Sequence, residues 1–238
     1  MNGFIERMDK VRLLIESKHL EAIVIRRNPN LAWAIGGRVH VPLTLDLACF
    51  DLIVTAKKVT LVTNTVEGPR LIAEEIPEGI EVVQVNWWEG RDAQLPTGEG
   101  VGCDQPGNNR VDLSREIEIL RQSLVAEDVA RFKNVCSDSA IALGEALKES
   151  EKSDREIDVA SRIAKSLWQS NLELVFIGVA GIDRVYKFRH ALPTETIVGN
   201  RIVASICARR KGLIASVTRI VSFAGDENSG YENILKLE

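Results

Sequence analysis

The chain of 238 residues has the composition of an ordinary globular protein, with 45% hydrophobic and 27% charged residues. Its net charge of −4 and its aromatic content of 5% argue against a nucleic-acid-binding surface, so we expect no nucleic acid partner. The four cysteines are scattered and form no C-x-x-C pair, which excludes a zinc ribbon and fits a reduced cytoplasm better than a disulfide framework. The N-terminus has no signal-peptide core, and the longest apolar run, 174–182, is too short to span a bilayer, so we expect no membrane partner.

The first half of the sequence alternates helical and strand patterns, as an α/β unit does. Apolar residues at helical spacing predict a helix over 4–18, followed by a buried strand at 22–25 and a turn at 28–30 that opens a short helix. A hairpin of 51–55 and 59–63, a helix over 66–75 and a strand at 80–85 complete the unit. Glycine and proline are frequent over 90–109, with a short strand near Val101. The predicted domains are 1–115 and 120–238.

The second half begins with two predicted helices. The first spans 126–148 and carries its apolar residues at helical spacing: Val129, Phe132, Val135, Ile141, Leu143 and Leu147. Ser153 and Glu156 have the spacing of a capping box before a helix that runs to Trp168. A buried strand over 172–181 follows. These helices are expected to pack on the strands that come after them.

A β-hairpin between 201 and 223 is the stretch whose spacing points to a site. Two apolar, β-branched segments flank the polar residues 209–212, which predicts a four-residue loop in which Ala208 pairs with Leu213. That register places Ser205 directly opposite Ser216, and Cys207 opposite Ile214. From 181 to 223 basic residues outnumber acidic residues eight to two, so the segment favours an anionic guest such as a carboxylate or phosphate. The alternative is that the basic turn only solvates the hairpin tip.

The same stretch resembles the catalytic signature of the pita-bread (creatinase/aminopeptidase) family, which includes prolidase, aminopeptidase P and creatinase. The matching residues are His190, Pro193, Ala208, Gly212, Thr218 and Arg219, and the N-terminal half resembles the creatinase-type domain through Arg7 and the run 30–37. Cys207 replaces the motif glycine, and Leu213 replaces the tyrosine. The two metal-binding aspartates of the family fall on Ser205 and Ser216. The resemblance covers nearly the whole chain.

The resemblance implies an α/β (α+β) fold, with a creatinase-like N-terminal domain followed by a partial pita-bread domain. In the family's metallopeptidases a His and two Glu come from a second half-domain, and no counterpart follows Phe223. We therefore expect a truncated product or a reduced family member that associates through exposed apolar surface. Paired carboxylates hold two divalent ions about 3.5–4 Å apart. A neutral serine hydroxyl is not a usual ligand of zinc, manganese or cobalt, so no metal cofactor is expected.

The resemblance also suggests which residues act. His190 is the catalytic candidate, because a histidine does the acid/base work in the metal-free creatinase branch. Arg209 and Arg219 are candidates for holding an anionic group, and Ser205 and Ser216 for contacting the substrate. The alternatives are that His190 is a hydrogen-bonded structural residue and that the two serines bond only to each other.

Three functions remain open at this stage. The first is a hydrolase that cleaves a C–N bond in a small anionic or peptide substrate without a metal. The second is a metal-dependent Xaa-Pro aminopeptidase or dipeptidase with manganese, cobalt or zinc. The third is an inactive pita-bread module that binds peptides or proteins. In each case we expect a small molecule or short peptide as ligand, and a homodimer.

Overall fold

The computed structural model describes residues 3–41, 44–105 and 107–223, with the side chain of residue 182 left out. The chain divides into two compact units, Met1–Arg131 and Phe132–Glu238. The predicted limits, 1–115 and 120–238, place this division earlier in the chain. Residues 224–238, in which no counterpart of the family's His and two Glu is found, lie outside the described residues.

The first unit is built on a six-stranded mixed sheet with the strand order β4-β3-β2-β1-β5-β6. Its strands are β1 (Ala22–Arg27), β2 (Leu47–Thr55), β3 (Val59–Asn64), β4 (Glu81–Val85), β5 (Val101–Cys103) and β6 (Val111–Asp112). Its helices are α1 (Gly3–Ser17), α2 (Asn28–Ile35), α3 (Gly68–Glu74) and α4 (Ser114–Gln122), with a 3-10 turn at Asp92–Gln94. β2 pairs antiparallel with β1 and β3, whereas β5 runs parallel to β1.

The core of this unit confirms the predicted first helix and strands. α1 buries Met8, Val11 and Ile15 in a cluster with β1 and β2 residues such as Ile23 and Phe50. The helix α4 was not predicted, yet its Ile117 is fully buried in the same cluster. Its apolar residues Ile117 and Leu120 stand at helical spacing and pack in this cluster, so the sequence did carry a signal for the helix.

Buried charges in the first unit are paired with nearby donors. Asp104 accepts hydrogen bonds from the backbone N–H groups of Arg26 and Arg27, at 2.8 and 3.1 Å, and from Asn30 at 2.7 Å. Burial raises the pKa of the Asp104 carboxyl despite these donors. Asp51 accepts hydrogen bonds from Arg26 and Arg91, both at 2.7 Å. These bonds tie the ends of β1, β2 and β5 together.

A buried ion pair joins α1 to the start of α5 (Ala126–Lys148). Arg7 donates to both carboxylate oxygens of Asp128 at 2.9 and 3.0 Å, and its Nε donates to the carbonyl of Ala34 at 3.2 Å. Asp128 also accepts a hydrogen bond from Arg131. Arg7 is 1% exposed and Asp128 is 3% exposed, so the pair is almost completely desolvated.

The second unit packs helices against one face of a three-stranded antiparallel sheet in the order β7-β8-β9. After α5 come α6 (Glu156–Gln169), β7 (Glu173–Gly181), α7 (Ile182–Val185), β8 (Arg201–Arg210) and β9 (Leu213–Ser222). The even-numbered residues 202–208 of β8 are buried beneath Val135, Leu143 and Val159 of the helices. The predicted helix 126–148 is confirmed, but its Val129 and Ile141 are 41% and 60% exposed rather than in the core.

The hairpin between β8 and β9 is confirmed, but its predicted register is wrong by two residues. Arg210 pairs with Leu213, so the loop contains only Lys211 and Gly212, with φ angles of 47° and 84°. Two positive φ angles are typical of a type I′ turn, whose twist suits a two-residue hairpin. Arg209 and Arg210 extend the strand because their guanidinium groups reach Glu173 and Asp138. Ser205 therefore faces Thr218, and Cys207 faces Ser216.

In the part of the chain that the structure describes, no helix is long and apolar enough to cross a membrane.

Candidate functional site

The sheet face opposite the helices of the second unit carries the candidate site. Odd-numbered β8 residues lie on this face, and directly opposed cross-strand partners share it. Two pairs of polar side chains line up here. Ser205 Oγ lies 2.8 Å from Thr218 Oγ1, and Cys207 Sγ lies 3.3 Å from Ser216 Oγ. We call these four residues the hydroxyl floor.

His190 stands beside this floor and borders two neighbouring cavities. The larger, the groove, has a volume of 690 Å³ and is lined by Phe176, Arg189, His190 and the hydroxyl floor, among others. The smaller, the chamber, has a volume of 140 Å³ and is lined by apolar residues together with Arg189, His190 and Ser205. The ring of His190 meets the ring of Phe176 edge to face, with centroids 6.2 Å apart. In the described residues its nitrogens have no hydrogen-bond partner, so both are available to a ligand.

The segment 182–194, which carries His190, is fixed by a buried carboxylate. Glu156 is fully buried and accepts hydrogen bonds from the backbone N–H groups of Gly181 and Thr194, at 2.9 and 3.0 Å. It also accepts one from the Thr194 hydroxyl at 2.8 Å, and it forms an ion pair with Arg184. The predicted capping box at 153 and 156 is wrong, because α6 begins at Glu156 and Asp158 instead accepts the Arg155 N–H. Glu156 is thereby free to hold the segment.

Two further contacts bring His190 close to the sheet. Val179 N–H donates to the carbonyl of Ala191 at 3.0 Å, and Arg184 donates to the carbonyl of Leu192 at 3.0 Å. A Cβ atom on Gly178 would lie 3.2 Å from the Ala191 oxygen and 3.2 Å from the Phe176 ring. Glycine at this position therefore leaves room for the segment and for the ring beneath His190.

The structure brings some of the predicted site residues together and separates others. His190, Ser205 and Ser216 all line the groove. Arg209 lies on the same sheet face, but it is paired with Glu173 at 2.7 Å. Arg219 is opposed to the buried Ala204, so it lies on the face opposite the hydroxyl floor.

The local surplus of basic residues is smaller than the sequence suggests. Three of the eight basic residues form ion pairs with acids outside the segment 181–223: Arg184 with Glu156, Arg209 with Glu173, and Arg210 with Asp138. Arg189, which sequence reasoning did not single out, lines both cavities beside His190. In the sequence, only its position directly before His190 pointed to Arg189 as a site residue.

The hydroxyl floor does not fit a metal centre of the dinuclear kind. Its oxygen donors are neutral hydroxyl groups that are bonded to each other and to a thiol, whereas such centres use carboxylates and imidazoles. In the described part of the chain, no group of three or more His, Cys, Asp or Glu side chains is placed to hold an ion.

The two units have a mixed α/β architecture that matches the pita-bread fold, with the first unit corresponding to its N-terminal domain and the second to part of the domain that follows. The prolidase from Pyrococcus horikoshii OT3 has this fold, with a TM-score of 0.76 and 17% identity over 98% of this chain and 69% of that chain. An X-Pro aminopeptidase from Thermotoga maritima MSB8 is similar, with a TM-score of 0.71 and 15% identity over 97% and 68% of the two chains. So is an Xaa-Pro dipeptidase from Bacillus anthracis, with a TM-score of 0.71 and 13% identity over 98% and 69%.

These similarities establish the fold, as the sequence predicted. No protein-family model and no curated protein sequence matches the chain. At 13–17% identity the likeness says nothing of the chemistry.

Proposed function

We propose that the groove binds a small anionic or short peptide substrate and hydrolyses a C–N bond in it without a metal pair, with His190 as the acid/base. The observation that carries this proposal is the position of His190 beside a floor of neutral hydrogen-bond donors. Hydrolysis of an amide needs a general base within reach of the attacking water, and hydrogen-bond donors where negative charge develops on the carbonyl oxygen. In the groove, His190 can act as the base and the hydroxyl floor can provide the donors.

The chemistry can be written with the residues of this chain alone. His190 accepts a proton from water as the water oxygen adds to the amide carbon. In the Ser205–Thr218 pair one hydroxyl proton serves the mutual hydrogen bond, and the other is left to donate to the carbonyl oxygen. When the C–N bond breaks, the protonated His190 returns the proton to the departing amine.

A second candidate, a binding module without hydrolysis, is favoured by one specific observation. In the described residues no carboxylate or carbonyl orients the His190 ring, and the Ser205 hydroxyl is bonded to Thr218 rather than to a base. Catalytic histidines are commonly oriented by a third group. A groove of this kind binds a ligand even if no turnover follows.

Hydrolysis of a panel of dipeptides in the presence of a chelator distinguishes the candidates. Wild-type protein should release free amino acids, and His190→Ala should abolish the release with an unchanged circular dichroism spectrum. Turnover that is the same in the variant rules out the acid/base role of His190. Binding without any release supports the module, and release that requires added manganese, cobalt or zinc supports the metal-dependent peptidase.

The cytoplasm is the compartment we propose, because all four cysteines are free thiols. The homodimer remains a prediction.

A further inference from the structure

The strand register arranges the residues of the groove face in two rows across β7, β8 and β9. The first row consists of Phe176, Cys207 and Ser216, and the second consists of Gly178, Ser205 and Thr218. The rows are about 7 Å apart, because residues two apart along a strand point to the same face. The Cys207 thiol therefore has the Ser205–Thr218 hydroxyl pair as its neighbour along the strands.

Cys207 is the strongest nucleophile among the described residues that line the groove. It is half-buried, and its Sγ lies 3.3 Å from Ser216 Oγ, whose hydroxyl can donate to a negatively charged sulfur. No carboxylate is among these lining residues, so none of them opposes that charge. Cys49 and Cys103 differ, because burial raises the pKa of both of their thiols.

His190 stands over the row that contains the thiol. Its ring meets the ring of Phe176 edge to face, with centroids 6.2 Å apart, and Phe176 is directly opposed to Cys207. Directly opposed residues have Cβ atoms roughly 4.5–5.5 Å apart. The imidazole and the thiol border the same groove, so His190 can act as the base that takes the thiol proton.

The distance between the rows suits a carbonyl group. A carbonyl carbon about 3–3.5 Å from the sulfur is in position for attack. Its oxygen can then point toward the second row, where a donor about 2.7–3.1 Å away stabilises the developing negative charge. The Ser205–Thr218 pair has one hydroxyl proton left for this hydrogen bond. The groove thus combines a nucleophile, a base and an oxyanion donor.

We propose that Cys207 is a covalent nucleophile that gives the groove a second activity, the hydrolysis of esters and thioesters of small carboxylic acids through an acyl-enzyme. The thiol proton passes to His190 as the sulfur adds to the carbonyl carbon. The bond from that carbon to the leaving group then breaks, and His190 gives the proton to the departing alcohol or thiol. Esters and thioesters are the substrate class because their leaving groups depart more easily than an amine.

Water completes the reaction on the thioester that this step forms. His190 accepts a proton from water as the water oxygen adds to the acyl carbon. The bond between that carbon and the Cys207 sulfur breaks, the sulfur regains a proton from His190, and the carboxylic acid leaves. One water is consumed in each cycle, and no oxidant or reductant is needed. The inference rests on the proposed function for the acid/base role of His190.

Acylation of the full chain by p-nitrophenyl acetate tests the proposal. We expect a burst of about one nitrophenolate per chain, and an acetyl group on Cys207 when the reaction is quenched with acid and analysed by peptide mass spectrometry. Cys207→Ala should remove the burst with an unchanged circular dichroism spectrum. His190→Ala should slow the burst about 100-fold or more. Cys136→Ala, which removes another half-buried thiol, is the matched control and should keep the burst.

Three results would overturn the proposal: no acetyl group on Cys207 of the wild-type protein, a burst that survives Cys207→Ala, or an equally fast burst in His190→Ala. Dipeptide hydrolysis by the wild-type protein is measured in parallel, in the presence of a chelator. Acetylation of Cys207 without dipeptide hydrolysis contradicts the proposed C–N hydrolase alone. Dipeptide hydrolysis without acetylation contradicts the role of Cys207 alone.

Discussion

Glu156 is a charged group whose whole hydrogen-bonding capacity is used inside the protein. It accepts two backbone N–H groups and one hydroxyl and pairs with Arg184, and it is 0% exposed. A buried carboxylate is stable only when such donors replace its water. Thr194 and Arg184 belong to the segment that carries His190 and Gly181 ends the strand before it, so the carboxylate positions the site.

Replacing Glu156 with Gln should therefore destabilise the second unit. An amide has one oxygen acceptor and leaves Arg184 without a counter-charge, so we expect a loss of about 1.5–3 kcal/mol in the free energy of unfolding. Urea titration followed by circular dichroism measures this loss. Glu195→Gln is the control, because Glu195 is 71% exposed and its pairing with Arg155 is in solvent. Equal stability of the two variants would contradict the role assigned to Glu156.

Motif spacing identified some of the groove residues and missed others. The resemblance drew attention to His190, Ser205 and Ser216, and the structure places all three at the groove. Arg189 and Glu156 depend on which charged groups find partners after folding, and such long-range pairing has no signature in spacing. Arg209 and Arg219 were chosen from the basic stretch, and Arg219 also from the motif, but the sheet places Arg209 in an ion pair and Arg219 on the opposite face.

At the scale of elements, the turn between β8 and β9 sets the register of the hydroxyl floor. Gly212 has a φ of 84°, a conformation that costs an L-residue roughly 1–2 kcal/mol. Gly212→Ala should lower the free energy of unfolding by about that amount. Gly144→Ala is a control with the opposite expected sign. Gly144 lies in α5 with open space around its Cβ position, so the substitution should raise the free energy of unfolding by about 0.5–1 kcal/mol. Urea titration of both variants checks the opposite signs, and a neutral Gly212→Ala would contradict the two-residue turn.

The Arg7–Asp128 pair is the corresponding test for the first unit. Removing Arg7 leaves the buried Asp128 carboxylate with only the partly exposed Arg131 as counter-charge, so Arg7→Met should cost about 3 kcal/mol, near the lower end for a buried pair. The double variant Arg7→Met/Asp128→Leu should cost less than the single variant, because no buried charge is left. Lys58→Ala, which breaks an exposed pair with Glu81, should not change the urea midpoint measurably. Additive effects of the two substitutions would show that the pair is not coupled.

Element identity was easier to predict than register or element ends. The apolar pattern in the sequence is clear for helices α1 and α5 and for strands β1 and β7. The residues that make this pattern are largely those that pack in the core, so the sequence predicts these elements well. The hairpin loop was predicted two residues too long, since Arg209 and Arg210 are polar in sequence yet extend the strand through pairs with distant acids. Local polarity alone does not reveal such pairs.

For the whole molecule, the fold was predictable because the resemblance covers both units, and comparison with prolidase and aminopeptidase structures agrees. The chemistry is harder to predict, because a fold shared at 17% identity or less accommodates different side chains at the same positions. The sequence resemblance predicts that two residues of the hydroxyl floor, Ser205 and Ser216, stand where the family's metallopeptidases have metal-binding carboxylates. The account of the site depends on that exchange.

Metal content tests the exchange most directly. The full chain is incubated with manganese, cobalt or zinc, desalted, and analysed by plasma mass spectrometry, alongside a Ser205→Asp/Ser216→Asp variant with restored carboxylates. We predict well below one ion per wild-type chain, because neutral hydroxyl groups are poor ligands for these ions. One or more tightly held ions per wild-type chain would contradict the account and indicate a metal-dependent peptidase.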